Sequence, residues 1–147
     1  MLEKEWAKFL SGSDIRGTAS EGVSGQPVDL TDPVVERMVK GFCVWLKRRT
    51  GKQCVRVTLG HDSRISAPRL RACAERAFLS QGVEVLSMGL ASTPSLFLST
   101  VREETRADGA LMLTASHHPF NKNGLKFFVR EGGLESGDIR EILELAQ

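Results

Sequence analysis

Leu113 to Phe128 reads LTASHHPFNKNGLKFF. It joins the end of an apolar run, GALMLTAS, to a second one, GLKFFV, through a segment of serine, paired histidines, proline and Asn-Gly. The first run is apolar throughout, which suits a strand covered on both faces. Residues 109 to 130 contain no Asp or Glu but carry His117, His118, Lys122, Lys126 and Arg130. A donor-rich, acid-free loop at a strand end suits an anionic ligand, because nothing in it repels phosphate. A plain surface turn accounts for the same residues, since Asn123-Gly124 is a strong turn signal and serine and proline are common in turns. Local chemistry leaves both readings open.

Outward from this stretch, extended and helical signals alternate. VRVTLG (55–60) and VEVLSMGL (83–90) are strand-like, and with GALMLTAS and GLKFFV they give four strands. The residues from Asp32-Pro33 onward form a helix pattern, with Val35, Met38, Val39, Phe42, Trp45 and Leu46 on one face and Gly51 as its stop. Ser66, Thr93-Pro94 and Ser136 mark three further helix starts. The alternation predicts an α/β fold: a three-layer α/β/α domain around a mixed, mostly parallel four-stranded sheet. The segment SGSDIRGTASEGVSGQP is expected to be a loop.

The chain has 147 residues, one domain by size, with 20 basic and 18 acidic residues and a net charge of +2. That balance gives no argument for nucleic acid, and no stretch is long and apolar enough for a membrane span. Cys43, Cys54 and Cys73 are odd in number and unpaired in spacing. Reduced thiols point to the cytoplasm, or to a plastid stroma had a transit peptide been removed. Phosphate-loop, dinucleotide and nucleophile-elbow motifs are absent. No D-x-D occurs, and His117 and His118 lack a third partner, which disfavours a metal-dependent hydrolase.

Three other loops share the donor-rich character. SGSDIRG offers Ser11, Ser13, Arg16 and two glycines to a phosphate. In GHDSR, Asp62 and Arg64 are expected to pair and shape a loop floor rather than catalyse. ASTPS reads as a helix N-terminus. If the sheet is doubly wound, all four loops share an edge.

Together these segments resemble domain 1 of the α-D-phosphohexomutases, the phosphoglucomutase and phosphomannomutase family. The family pattern T-[AG]-S-H-x-P-x-x-x-N-G-x-K is matched by Thr114, Ala115, Ser116, His117, Pro119, Asn123, Gly124 and Lys126. The D-I-R-G loop is matched by Ser13 to Gly17, and G-x-D-x-R with S-x-P by Gly60, Asp62, Arg64, Ser66 and Pro68. The resemblance implies that Ser116 carries a phosphoryl group and passes it to a hexose monophosphate through a bound bisphosphate. Arg16, Lys126 and His117 would be its catalytic neighbours, with Lys126 as acid/base because lysine can shift its pKa. Ser13, His118, Asn123 and Gly124 would contact phosphate or set the loop, Asn123-Gly124 being the turn that returns Lys126 toward Ser116. His118 replaces an asparagine common in the family.

The family has four domains, so the chain 1–147 corresponds to the first, with domains 2–4 outside it. Interconversion of hexose 1-phosphate and hexose 6-phosphate is then expected only with those domains, and inactivity without them. A non-catalytic sugar-phosphate-binding or assembly module of the same fold is the alternative. The resemblance also implies Mg2+, bound through the Ser116 phosphate and aspartates of another domain, and glucose 1,6-bisphosphate as activator. The remaining domains are the expected partners, and surfaces meant for them make self-association plausible.

Overall fold

The structure, a computed structural model, describes residues 1–147. The four expected strands are present as β3 (Arg56–His61), β4 (Glu84–Leu90), β5 (Gly109–Leu113) and β6 (Lys122–Val129). They lie side by side as β6-β5-β3-β4, with β3 parallel to β4 and β5, and β5 antiparallel to β6. Within this group the sheet is mixed and mostly parallel. Three short antiparallel strands enlarge it to seven: β1 (Leu10–Ser11), β2 (Asp14–Thr18) and β7 (Gly132–Gly133).

The segment expected to be a loop from Ser11 onward is therefore partly a hairpin. Ser11 pairs with Asp14 across Gly12-Ser13, and only Gly12 has positive φ (61°), as the first position of a type II′ turn requires. The strand β2 then pairs with β6, Ile15 facing Leu125 and Arg16 facing Gly124. Ile15 is fully buried in the core, while Asp14 and Arg16 point to the other face. The alternation in β2 covers only Asp14, Ile15 and Arg16 before Gly17, too short a run to announce a strand.

Helices α2 (Asp32–Thr50), α3 (Ala67–Ser80) and α5 (Ser136–Ala146) pack on one face with the four-residue α1 (Lys4–Ala7), and α4 (Thr93–Val101) alone covers the other. The apolar stripe expected for α2 is buried, and Phe42 stacks on Phe127 of β6 at 4.2 Å. Gly41 lets α2 and α5 touch: a Cβ there would lie 2.6 Å from the Ile142 carbonyl. The α2 helix ends at Gly51 in the left-handed conformation, and Thr31 rather than Asp32 is its N-cap. Ser92 caps α4 by accepting from the Ser95 N–H. Glu135 precedes α5, its N–H donating to Asp138 at 2.9 Å. Ser66 stands at the start of α3 without capping it; its hydroxyl meets Asn123 instead. No helix is long and apolar enough to cross a membrane.

Because β3 and β5 are parallel, their carboxyl ends open on one edge. The Asp62 N–H donates to the Leu113 carbonyl at 3.1 Å, and the Ala91 N–H to the His61 carbonyl at 2.9 Å. The loops after β3, β4 and β5 thus meet at the crevice where ligands bind in open α/β sheets.

Candidate active site

Ser116 stands just past the end of β5, exposed, with φ +54°. A non-glycine residue in that region costs about 1–2 kcal/mol, so its neighbours must hold it there. They do so from both sides. The Ser116 N–H donates to Thr114 Oγ1 at 3.1 Å, and the Thr114 hydroxyl donates to Asp62 Oδ2 at 2.7 Å. Arg64 then gathers four carbonyls of the loop. Its Nη2 donates to Ser116 and His118, both at 2.8 Å, and its Nη1 to Pro119 at 2.7 Å and Lys122 at 2.9 Å. Asp62 lies 3.4 Å from Arg64 Nε and accepts the Arg64 N–H at 3.1 Å. The expected Asp62–Arg64 pair exists, and its purpose is the serine loop.

The face of the sheet beside this loop carries the other cations. Lys126 Nζ donates to Asp14 Oδ1 at 2.8 Å, and Arg16 Nη2 to Asp14 Oδ2 at 3.0 Å. Asp14 is 8% exposed, its charge balanced by two cations. The acid-free character of residues 109 to 130 therefore does not extend to the folded site. Arg16 Nη1 bonds His118 Nε2, while Arg16 Nε is buried without a partner. Partial burial, then the charges of Arg16 and His117, hold the His118 imidazole below its ordinary pKa. Neutral His118 accepts from Arg16, a task suited to a side chain with one acceptor and no charge. His117 stacks on His118 with ring centres 4.9 Å apart, its Nδ1 3.3 Å from Ser116 Oγ. His117, His118 and Arg16 thus form a contiguous path from the serine hydroxyl to the Asp14–Lys126 pair.

Three expected positions fall elsewhere. Asn123 and Gly124 are not a turn: both lie inside β6, fully enclosed, and the chain reverses earlier, where the Lys122 N–H meets the Pro119 carbonyl. Asn123 donates to Ser66 Oγ at 2.8 Å, and its Oδ1 accepts the Gly124 N–H at 2.8 Å. A Cβ on Gly124 would sit 2.3 Å from the Ile15 carbonyl, so glycine is what lets β2 approach β6. Buried this way, neither residue can touch a ligand; they fix the strand that carries Lys126. Ser13, at the β1–β2 turn, is by register beside Phe127 and Leu111, on the far side of Leu113 from Ser116. No hydrogen bond joins its hydroxyl to the site.

No group of three His, Cys, Asp or Glu side chains is arranged to hold a metal. Asp14 is already bound to Lys126 and Arg16. This chain's own residues do not compose a Mg2+ site; a phosphate on Ser116 is the one ligand they could offer. The sequence reading missed the reach of Arg64 and the presence of Asp14. Asp14 had a signal, its place in the D-I-R-G motif, but the carbonyls gathered by Arg64 have none.

The chain matches the family described as phosphoglucomutase/phosphomannomutase, alpha/beta/alpha domain I, over residues 8–147. It is 33% identical over 136 residues to a phosphoglucosamine mutase of Alkaliphilus oremlandii, covering 92% of this chain and 28% of that protein. A phosphoglucosamine mutase of Pediococcus pentosaceus is 31% identical over 139 residues, covering 94% and 29%. Among solved structures, a phosphoglucomutase/phosphomannomutase family protein of Burkholderia thailandensis superimposes with a TM-score of 0.77 at 22% identity, over 99% of this chain and 30% of that one. A putative phosphomannomutase of Thermus thermophilus gives 0.73 at 25% identity, over 91% and 28%. The chain thus spans less than a third of the length of these relatives. With the serine loop, the D-I-R-G strand and the Arg64 anchor on one α/β/α scaffold, the chain belongs to the phosphoglucomutase/phosphomannomutase family and forms its domain I.

Proposed function

We propose that this domain carries the phosphoryl-accepting serine of a hexose-phosphate mutase, and that Ser116 is that serine. The observation behind this reading is the exposed, left-handed Ser116, held by Thr114 and Arg64, with His117 and His118 linking it to Arg16. Phosphoryl transfer asks the protein mainly for position and for cations around the moving charge. A phosphoserine brings about −1.5 to −2 charges. Arg16 and Lys126, now shared with Asp14, are the cations that could turn to it, and Arg16 Nε is a donor in reserve. Lys126 is the acid/base candidate. His117, beside the hydroxyl, orders the loop or contacts phosphate.

The substrate class is a hexose or hexosamine monophosphate, interconverted between its 1- and 6-phosphates through a bound bisphosphate. Two of the relatives named above are phosphoglucosamine mutases and one is a putative phosphomannomutase, so amino and neutral hexoses both fall within this class. Mg2+, held with the help of another domain, would polarise the phosphate, and turnover would need the regions that the longer relatives possess. The test is intact mass and peptide mapping after incubation with glucosamine 1,6-bisphosphate or glucose 1,6-bisphosphate, Mg2+ and the remaining domains of a relative. One phosphoryl group on Ser116, absent from Ser116→Ala, is the expected result. An adduct that persists in Ser116→Ala, or sugar-phosphate binding with no adduct in the wild type, would favour the binding-module alternative.

A further inference from the structure

At the opposite edge of the sheet, where β3 and β5 begin, lies a cleft of about 560 Å³. It is bounded by the end of α2, the α4–β5 loop and the turn after β6. Thr100, Ala107 and Val129 form a buried floor, and the walls carry Arg49, Lys52, Arg102, Arg106 and Arg130 against Glu103, Asp108 and Glu131. Lys52 and Asp108 neutralise each other at 2.6 Å, and Arg49 has a loose partner in Glu131 at 3.8 Å. Arg102, Arg106 and Arg130 have no carboxylate partner within 4.0 Å.

The ends of α2 and α4 account for part of this charge, since cations favour helix C-termini: Arg49 is in the last turn of α2, and Arg102 is the C-cap of α4. Arg106 and Arg130 have no such explanation. Arg106 is also one of two non-glycine residues with positive φ, at 45°, the other being Ser116. Its N–H meets the Arg102 carbonyl at 3.0 Å and its Nε the Glu103 carbonyl at 3.1 Å, so a tight loop keeps it on the cleft wall.

We propose that this cleft is a second anion site, which takes a small phosphate-bearing molecule between the guanidinium groups of Arg102, Arg106 and Arg130. Planar guanidiniums bind phosphate through paired N–H donors, and the cleft has the volume of an ordinary small-molecule site. It lies at the far edge of the sheet from Ser116, so its ligand does not compete with the reacting sugar phosphate.

Pyrophosphate is the probe, titrated calorimetrically into a Ser116→Ala, Arg16→Ala background that removes the serine and one of the two cations assigned to its phosphate. Cys54 lines an adjoining cleft that shares Arg106 and Asp108, and it is exposed whereas Cys43 and Cys73 are buried. Its alkylation by iodoacetamide gives an independent readout. Saturable binding is expected in that background, weakened at least tenfold by Arg130→Glu and by Arg102→Ala with Arg130→Ala, and accompanied by slower Cys54 alkylation. Both arginines are exposed, so these variants should keep the fold. No binding, equal binding in the variants, or an equal loss in the control Arg71→Ala (paired with Glu75 on α3) would overturn the site.

Discussion

Arg64→Ala removes the donor set on which the serine loop rests. The Arg64 side chain is about 10% exposed, and its guanidinium spans four carbonyls from Ser116 to Lys122, with Asp62 behind it. A hydrogen bond is worth about 0.5–1.5 kcal/mol net, and water can replace some of these because Ser116 and Pro119 lie at the surface. Taking the lower half of that range for four bonds gives about 2–4 kcal/mol, and the Asp62 pair adds less than about 1. For a chain of this size the melting temperature should then fall by about 6–12 °C. Urea unfolding measures the stability, and amide exchange should show lost protection at His118 and Lys122, whose N–H groups close the loop. Arg64→Lys keeps the charge near Asp62 but not the fork, so it should recover less than half of the loss. If Arg64→Ala costs under about 0.5 kcal/mol and leaves the loop amides protected, then Arg64 does not organise the site and the argument for a preformed serine fails.

Gly124→Ala should destabilise by about 3 kcal/mol or more in urea, because its Cβ would meet the Ile15 carbonyl at 2.3 Å and neither strand can yield alone. Ser116→Gly should be more stable than Ser116→Ala by about 1 kcal/mol, since glycine accepts φ +54° without strain, and equal melting points would contradict that. The depressed His118 pKa means that the unfolded chain binds the extra proton more readily than the fold. His118 therefore contributes stability above its ordinary value of 6.5 that is lost as pH falls through the lower folded value. The urea midpoint should drop in that window for the wild type and stay flatter for His118→Gln, which keeps an acceptor without titrating. An identical pH profile in the two would show that neutral His118 is not what Arg16 needs.

The parts of the fold legible in the sequence are those where one physical signal dominates. GALMLTAS is covered on both faces and is apolar on both, and the α2 stripe from Val35 to Leu46 repeats at helical spacing. Gly51 and Gly82 stop helices because they adopt φ 70° and 66°. The β2 strand was illegible because its alternation runs only from Asp14 to Arg16 before Gly17 interrupts it. Asn123-Gly124 misled for a related reason. The absence of a side chain at Gly124 suits a tight turn and a close strand contact equally, and only the position of Ile15 decides between them.

The site's electrostatics were the least legible, because they depend on which distant residues share a surface. Counting acids between 109 and 130 implied a purely cationic loop, yet β2 brings Asp14 between Lys126 and Arg16. That carboxylate gives the arrangement a logic. Bound to Asp14, the two cations are held together on one face of the sheet. A phosphoryl group on Ser116 would compete with Asp14 for the same donors, bringing more charge from a position nearer the solvent. Arg64, by contrast, gives both of its terminal nitrogens to backbone carbonyls and cannot be recruited without loosening the loop. Arg64 thus fixes geometry through backbone carbonyls, whereas Arg16 and Lys126 are held only by side chains, a division suited to the phosphoserine proposed at Ser116.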